Sequence, residues 1–327
     1  MMDWKTPALT DLETLQKCAA TNGFFANVYG AANCVLYAKK FGAQIAVEGG
    51  WLFLRLYEDQ KPRFFFPHKI DGGLEGAEAA LKLLEREARG FLEADSRFEK
   101  EPFVLKNITA AEKEIAARVF PGAQIAAARE SGDYIYRTAD LAGLAGKKYG
   151  KKRNHIKQFK TKRPGYRFEP LTSGNLQDAR QVEEKWLEEV LANSSTANAG
   201  GGQPSAAVRA DLQIEKEIIF SALENFEIFG QVCGMTGGLL YVDDTPAAFC
   251  VASLLSAAVT DVHFEKCLFE FARDGGYAVI NNEFSKTVQT EFINREEDLG
   301  IEGLRKAKLS YYPTDILEKF NGTIHSA

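Results

Sequence analysis

The sequence predicts an α/β (α+β) protein made of two similar units in tandem, each a mostly antiparallel mixed sheet flanked by helices. Three observations lead there. A chain of 327 residues is longer than one hydrophobic core usually grows, so two domains of roughly 150 residues each are the natural division. The composition, 45% hydrophobic and 26% charged, is that of an ordinary soluble globular protein. The same grammar is also written twice, with short aromatic and β-branched runs set among segments of helical period.

In the first half, helical periodicity runs from Leu9 to Ala19. Three apolar, aromatic-rich runs follow, Gln44 to Val47, Trp51 to Tyr57 and Arg63 to Phe66. Gly49-Gly50 and Asp59-Gln60-Lys61-Pro62 separate them, which is the signature of an antiparallel meander. An amphipathic helix from Leu74 to about Leu92 comes next, then a strand at Phe103 to Leu105. Thr109 opens another helix with Glu112 as its capping-box partner. Strands at Gln124 to Ala128 and Tyr134 to Arg137 close the half.

The second half begins with a helix from Leu141 to Phe159, a strand at Tyr166 to Leu171 and a helix from after Ser173 to about Leu191. A Ser-, Asn- and Gly-rich stretch, Asn193 to Ser205, interrupts the pattern and reads as a lid over a cleft or as a plain flexible loop. Beyond it lie a helix from about Ala206 to Asn225 and strands at Gly237 to Val242, Ala247 to Leu254 and Ala258 to Phe264. A helix across Leu268 to Thr287, a strand at Glu291 to Asn294, a helix across Ile301 to Tyr311 and a short closing strand finish the chain. The boundary is expected near Asp140, giving units 1–140 and 141–327 with the competent cleft in the second.

Several classes fall away. The longest nearly apolar run, Ala247 to Val259, is well short of the roughly 20 residues that cross a bilayer. The N-terminus lacks a basic region followed by an apolar one, so a cytoplasmic location is expected, with peripheral membrane contact left open. Five cysteines, at 18, 34, 233, 250 and 267, form no C-x-x-C pair and are odd in number, which suits buried small hydrophobes better than a disulfide framework or a zinc ribbon.

Charge is distributed unevenly. Between Asp140 and Glu169 there is no acid, yet ten Lys and Arg residues stand there. The rest of the chain sets thirty basic against forty-five acidic residues, so a polyanion would be steered to one place. The alternative is a solvated helix that joins the domains and pairs with acidic neighbours. As a helix, the segment places Tyr149, Ile156 and Phe159 at i, i+7 and i+10, on its inward side. With only Tyr149 and Phe159 interleaved, it offers no base-stacking platform.

A second cluster follows the strand at Phe292. Asn294, Arg295, Glu296 and Asp298 gather where a strand end meets a helix N-terminus, a favoured place for a ligand, while Ile301, Leu304 and Leu309 are expected on the helix's buried side and Lys306 in solvent. The plainer reading is that Glu296, Asp298 and Glu302 complement the helix dipole and pair with Arg305. His263-x-Glu265 shares its spacing with zinc deaminases, but no Pro-Cys-x-x-Cys follows and Cys267 stands alone, so no metal is expected. His263 and Glu265 are read as alternating faces of a strand. Gly237-Gly238 and Gly200-Gly201-Gly202 lack a phosphate-loop context and are read as turn or loop glycines.

Taken together, several segments resemble the phosphatidylglycerol lysyltransferase C-terminal-like family. They are Asp133-Tyr134-Ile135-Tyr136-Arg137, Gly146-Lys147-Lys148-Tyr149 with Lys152-Arg153-Asn154-His155, His263-Phe264-Glu265-Lys266, and Asn294-Arg295-Glu296-x-Asp298-Leu299-Gly300 with Gly303-Leu304-Arg305-Lys306-Ala307-Lys308. Phe24-Phe25-Ala26-Asn27-Val28-Tyr29 is similar to the family's opening pattern, and the resemblance covers most of the chain. The element order in both halves likewise resembles the GNAT acyltransferase fold used twice.

The resemblance implies an acyl or aminoacyl transferase with an anionic donor, aminoacyl-tRNA being favoured. Lys147 to Arg163 would meet the donor, with Lys151, Lys152 and Arg153 as charge contacts and Asn154 and His155 as hydrogen-bonding partners. An acceptor amine or hydroxyl would sit near Asn294, Glu296 and Asp298, with His263, Glu265, Arg295, Arg305 and Lys308 in the binding set. Acyl transfer needs a base, an oxyanion donor and an acid. Glu296 is the base candidate, and Tyr311 or Tyr312 the acid, because acyl-CoA GNAT enzymes commonly place a Tyr on the last helix. Acyl-CoA is the rival donor, yet Glu265-Lys266-Cys267-Leu268-Phe269-Glu270 has none of the glycines of the usual pyrophosphate loop. A non-catalytic module binding an anionic partner is the remaining alternative.

Overall fold

Turn chemistry starts the first sheet. Gly49 and Gly50 are left-handed (φ 56° and 81°), as a two-residue hairpin requires, and fold β1 (Gln44–Glu48) back on β2 (Trp51–Glu58). Asp59 and Gln60 do the same with φ 49° and 62°, joining β2 to β3 (Lys61–Phe64). These contacts come from a computed structural model that describes residues 2–193 and 205–325. The Gly200 triplet and nearly all of the Ser-, Asn- and Gly-rich stretch lie outside the described residues.

Two helices, α1 (Leu12–Asn22) and the short α2 (Ala31–Leu36), precede the meander. After it, β4 (His68–Lys69) pairs with β2. The helix α3 (Ala77–Ala94) buries Ala77, Ala80, Leu81, Leu84, Ala88 and Leu92, one stripe at helical spacing. Next come β5 (Phe103–Ile108) and α4 (Ala110–Val119), whose capping box forms as expected: the Thr109 N–H donates to Glu112 Oε2 at 2.7 Å. The half ends with β6 (Gln124–Ala127) and β7 (Asp133–Arg137).

The single helix expected over 141–159 is broken. The helix α5 (Thr138–Gly143) stops where Leu144 and Gly146 adopt positive φ, and α6 (Gly150–Lys162) restarts after a 3-10 turn, with Tyr149 and Phe159 buried and Ile156 half-buried. Then follow β8 (Tyr166–Pro170), α7 (Leu176–Asn193), α8 (Ala206–Glu224) and α9 (Phe226–Cys233). Three long antiparallel strands come next, β9 (Thr236–Val242), β10 (Thr245–Ser256) and β11 (Val259–Cys267). Gly237 and Gly238 lie inside β9 rather than in a turn, because a Cβ on Gly237 would meet the Cys250 carbonyl oxygen at 2.2 Å and one on Gly238 the Phe168 ring at 2.3 Å. The helix expected over 268–287 is two helices, α10 (Phe269–Asp274) and α11 (Gly276–Ser285), parted at Gly275. The chain closes with β12 (Phe292–Asn294), α12 (Glu302–Leu309), β13 (Asp315–Leu317) and β14 (Phe320–Ile324).

The strands form two seven-stranded mixed sheets flanked by helices. The sheets exchange strands: β7 pairs with β12 and β13 in the second sheet, while β14 inserts between β5 and β6 in the first. A cut at Asp140 would therefore part both strands from their sheets. The helices α1 and α2 also pack into the second sheet's core, where Leu12, Leu15 and Ala32 join Phe249, Val262 and Phe264. All five cysteines are buried and free. Among the described residues, no helix is long and apolar enough to cross a membrane.

The expected face of α12 is corrected. Leu304 is half-buried on the expected side, but Ile301 and Leu309 are 55% and 43% exposed, and Lys308 and Tyr311 turn inward in their place. Lys308 chooses that face, since its ammonium donates to the Arg295 and Glu297 carbonyls that no apolar side chain could satisfy.

One buried ion pair fastens the exchange. Lys319, 1% exposed, donates to Asp133 Oδ1 at 2.7 Å and to Asn27 Oδ1 at 2.8 Å. Asp133 Oδ2 accepts from the Asn27 N–H at 2.9 Å and from Asn294 Nδ2 at 3.1 Å. Replacing Lys319 by Met leaves the Asp133 carboxylate buried without its cation, so Lys319→Met is expected to lose roughly 3–5 kcal/mol of stability, read from urea denaturation midpoints. Adding Asp133→Asn should recover part of that loss.

Candidate active site

The site is an opening in the second sheet. Parallel pairing between β11 and β12 lasts three residues, ending at Asp261↔Asn294, while β11 runs on to Cys267. The other chain turns away because Arg295 and Glu296 stay bonded to β7: the Arg295 N–H donates to the Tyr134 carbonyl and the Tyr134 N–H to the Glu296 carbonyl. Glu296 itself is left-handed (φ 56°), its N–H held by Asn294 Oδ1 at 2.6 Å. Neighbouring strands thus diverge with polar side chains on both flanks.

One flank is cationic and aromatic. Arg295 Nη2 donates to Glu265 Oε1 at 3.1 Å, and its guanidinium lies 5.0 Å from the Tyr311 ring centre. Its Nη1 is buried with no partner. From α6, Lys152 sets its ammonium 3.5 Å above the Tyr311 ring. Burial, reinforced by the Arg295 charge, brings the Lys152 ammonium down to about 8. Burial likewise holds the Tyr311 hydroxyl above its ordinary range.

The other flank is acidic. Glu296 Oε1 lies 3.5 Å from His263 Nδ1 and accepts from Asn33 Nδ2 at 3.0 Å. Asp261 Oδ2 lies 3.7 Å from His263 Nδ1, and Ser253 Oγ holds His263 Nε2 at 2.8 Å. Burial and the neighbouring Glu296 and Asp133 carboxylates raise the Asp261 carboxyl well above its usual range. A β-bulge shapes this flank: Ala252 pairs with Val262 and Val251 with Phe264, leaving His263 unpaired. Strict alternation would put His263 and Glu265 on one face. The extra residue lets His263 meet the cluster near α2 while Glu265 reaches Asn281 on α11.

Among the residues singled out from sequence, Lys152, His263, Glu265, Arg295, Glu296 and Tyr311 converge on the opening. Asn294 sits at its root, tied to the Phe25 carbonyl and Asp133. Asp298 is buried beneath the following loop, clasped by Arg305 at 2.8 and 3.0 Å, Tyr134 at 2.6 Å and Arg129 at 3.2 Å. Arg305 foremost holds the Asp298 carboxyl well below the usual carboxylate range. Together with Lys308, these groups build the loop. Tyr312 is 46% exposed and packs on Tyr149.

The basic segment divides in a similar way. Arg153 donates to the Leu144 and Gly146 carbonyls and closes the end of α5. Lys148, Lys160, Lys162 and Arg163 pair with Asp140, Glu283, Asp274 and Glu270. Lys151, Asn154 and His155 are exposed. Lys147, Lys151 and Lys157 have no acidic partner within 4.0 Å among the described residues.

Sequence reasoning missed Asn33, Ser253, Asp261 and Asn281. Asp261 was visible as the first of three polar residues at alternate positions, Asp261-x-His263-x-Glu265. Lys152 also carried a signal, since Tyr149, Lys152, Ile156 and Phe159 share one helical stripe. Asn33 carried none, standing 228 residues before Asp261.

Residues 88–321 match the family described as phosphatidylglycerol lysyltransferase, C-terminal. Among solved structures, a conserved protein of unknown function from Bacteroides thetaiotaomicron is 30% identical, covers 99% of this chain and 100% of its own, and superposes with a TM-score of 0.81. The C-terminal domain of a protein named as a lysylphosphatidylglycerol synthetase from Agrobacterium fabrum shares the fold at 12% identity, over 97% of this chain and 92% of that one, with a TM-score of 0.61. No functionally curated protein matches the sequence.

Two titrations check this geometry. After ¹³C-methylation of the lysines, one NMR resonance, missing in Lys152→Arg, should titrate near 8 while exposed lysines titrate near 10.4. Asp298 titrates below its unfolded value of about 3.9, so its stabilisation is complete above that pH and drains away as pH falls. Asp298→Asn should therefore be less stable than wild type at pH 7, the two unfolding midpoints converging in acid.

Proposed function

The chain belongs to the family of the phosphatidylglycerol lysyltransferase C-terminal domain, and on that premise we propose that it is an acyl or aminoacyl transferase working in the opening between β11 and β12. The observation that carries the reading is the pairing of unlike flanks across that opening. Arg295 with its unpartnered Nη1, Lys152 and the Tyr311 hydroxyl stand on one side, and the Glu296 carboxylate on the other.

The donor's ester carbonyl lies on the cationic flank, where Arg295 and Lys152 stabilise the oxyanion that develops as the acceptor attacks. Glu296 takes the proton from the acceptor amine or hydroxyl. Tyr311, kept protonated by burial, gives its proton to the donor oxygen as the acyl carbon–oxygen bond breaks. The acyl group leaves on the acceptor, as an amide or an ester.

Aminoacyl-tRNA is the donor that best suits a basic helix beside the cationic flank. Lys147, Lys151 and Lys157, free of acidic partners, meet its phosphates, and Lys152 belongs to the reaction centre. An acyl-CoA donor is disfavoured by the start of α10. The Phe269 N–H, where a pyrophosphate would dock in place of the absent glycine loop, already donates to Glu189 Oε2 at 2.7 Å.

Charged tRNA is expected to raise the unfolding temperature of the purified protein, and acetyl-CoA to leave it unchanged. In the triple variant Lys147→Ala, Lys151→Ala, Lys157→Ala, the slope of log affinity against log salt should fall by roughly 0.7–0.9 per lysine removed. An unchanged slope would sink the tRNA donor. Arg295→Met should slow transfer about 10²-fold or more while leaving tRNA affinity nearly intact.

A further inference from the structure

The acidic flank has the makings of a metal centre. Asp261, His263 and Glu296 each offer one ligand atom, and the three atoms lie within 4.8 Å of one another. Ligands about 2.1 Å from a shared ion sit roughly 3.0–3.4 Å apart at octahedral or tetrahedral angles. The observed separations from His263 Nδ1, 3.5 Å to Glu296 and 3.7 Å to Asp261, need only a small inward shift.

Two further observations point to an occupant. His263 is 8% exposed, and its Nδ1, facing both carboxylates, has no hydrogen-bond partner. Its Nε2 is taken by Ser253 Oγ, the outer hydrogen bond that orients a ligating imidazole. Asp261, 1% exposed, likewise leaves Oδ1 unpaired. Charge is the second observation. Four neighbouring carboxylates, Asp133, Asp261, Glu296 and Glu297, share this interior with two ammonium groups, Lys308 and Lys319. With all four ionised, a divalent ion would balance the two positive charges they lack.

We infer that Asp261, His263 and Glu296 bind one divalent cation of the Mn²⁺ or Zn²⁺ class, held through Asp261 carboxylate oxygen, His263 Nδ1 and Glu296 Oε1. The mixed nitrogen and oxygen donors suit those ions better than the all-oxygen preference of Ca²⁺ or Mg²⁺. Asn33, whose amide now donates to both carboxylates, presents its oxygen instead if the amide rotates by half a turn. The partner of His263 is thus Asp261, two residues earlier, and Glu296 across the opening, rather than the Glu265 of its H-x-E spacing.

The ion deepens the transferase reading and rests on it for its role. It would bind the acceptor's oxygen or nitrogen beside the donor and ease loss of its proton, while Glu296, ligating through Oε1 alone, keeps Oε2 to receive that proton.

Titration calorimetry of the chelator-stripped full chain with MnCl₂ and with ZnCl₂ tests the site without donor or acceptor. About one ion per chain is expected, bound at least tenfold more weakly in Ser253→Ala, which removes only the outer hydrogen bond, and lost in His263→Gln. Circular dichroism and metal-free unfolding temperature establish that both variants fold. Absence of binding by the wild type, or equal binding by wild type and both folded variants, overturns the site. The latter result would mean the carboxylates share protons and the ion sits elsewhere. The two readings fail separately: a chain that binds the ion yet never transfers an acyl group refutes the transferase alone, and one that transfers fully without binding either ion refutes the metal alone.

Discussion

The buried Lys319–Asp133 pair is the constraint on which the rest of the structure depends. Removing two charges from water costs several kcal/mol per ion, recovered only when the geometry is good and every remaining polar atom is satisfied. Here the satisfaction is distributed. Asn27 comes from the segment before the first sheet, Asp133 from β7, Asn294 from the end of β12 and Lys319 from just before β14. Four distant stretches must be in place together before the charges are tolerable. That requirement couples the two strand exchanges and ties down Asn294, the last residue of β12 paired with β11. The opening begins there, where Arg295 and Glu296 stay with β7.

Polarity across the opening is a second consequence of backbone geometry. Arg295 and Glu296 are consecutive and project to opposite sides, so the cationic and acidic flanks begin at adjacent residues. The bulge at His263 performs the matching separation on β11, sending His263 to the acidic flank and Glu265 to the cationic one. Burial then sharpens both flanks, lowering Lys152 and raising Asp261, because each charge is kept from water and from a full complement of partners.

Much of the fold was legible because it rests on local chemistry. The hairpins at Gly49-Gly50 and Asp59-Gln60, the capping box of Thr109 and Glu112, and the inward stripe of α6 follow from short-range sterics, hydrogen bonding and periodicity. Errors arose where a distant partner overruled the local pattern. Ile301 and Leu309 have the spacing of a buried face, yet Lys308 claims that side for two carbonyls of the loop at Arg295. The single helix expected over 141–159 ignored the left-handed turn at Leu144 that Arg153 bridges from the next helix. Asp298 and Arg305, singled out as ligand groups, pair with each other across the loop.

By itself the sequence determined the element types, the doubled architecture, the family and which polar residues crowd the end of β12, since these follow from period, turn chemistry and motif within a few tens of residues. Only the tertiary structure decided which of those polar residues meet. It brought Asn33 to Asp261 and Glu296, placed Lys152 alone of the basic core over Tyr311, and traded β7 for β14 between the sheets. The physical reason is that a buried charge accepts only partners that desolvate with it, and those partners came from wherever the closed chain could supply them.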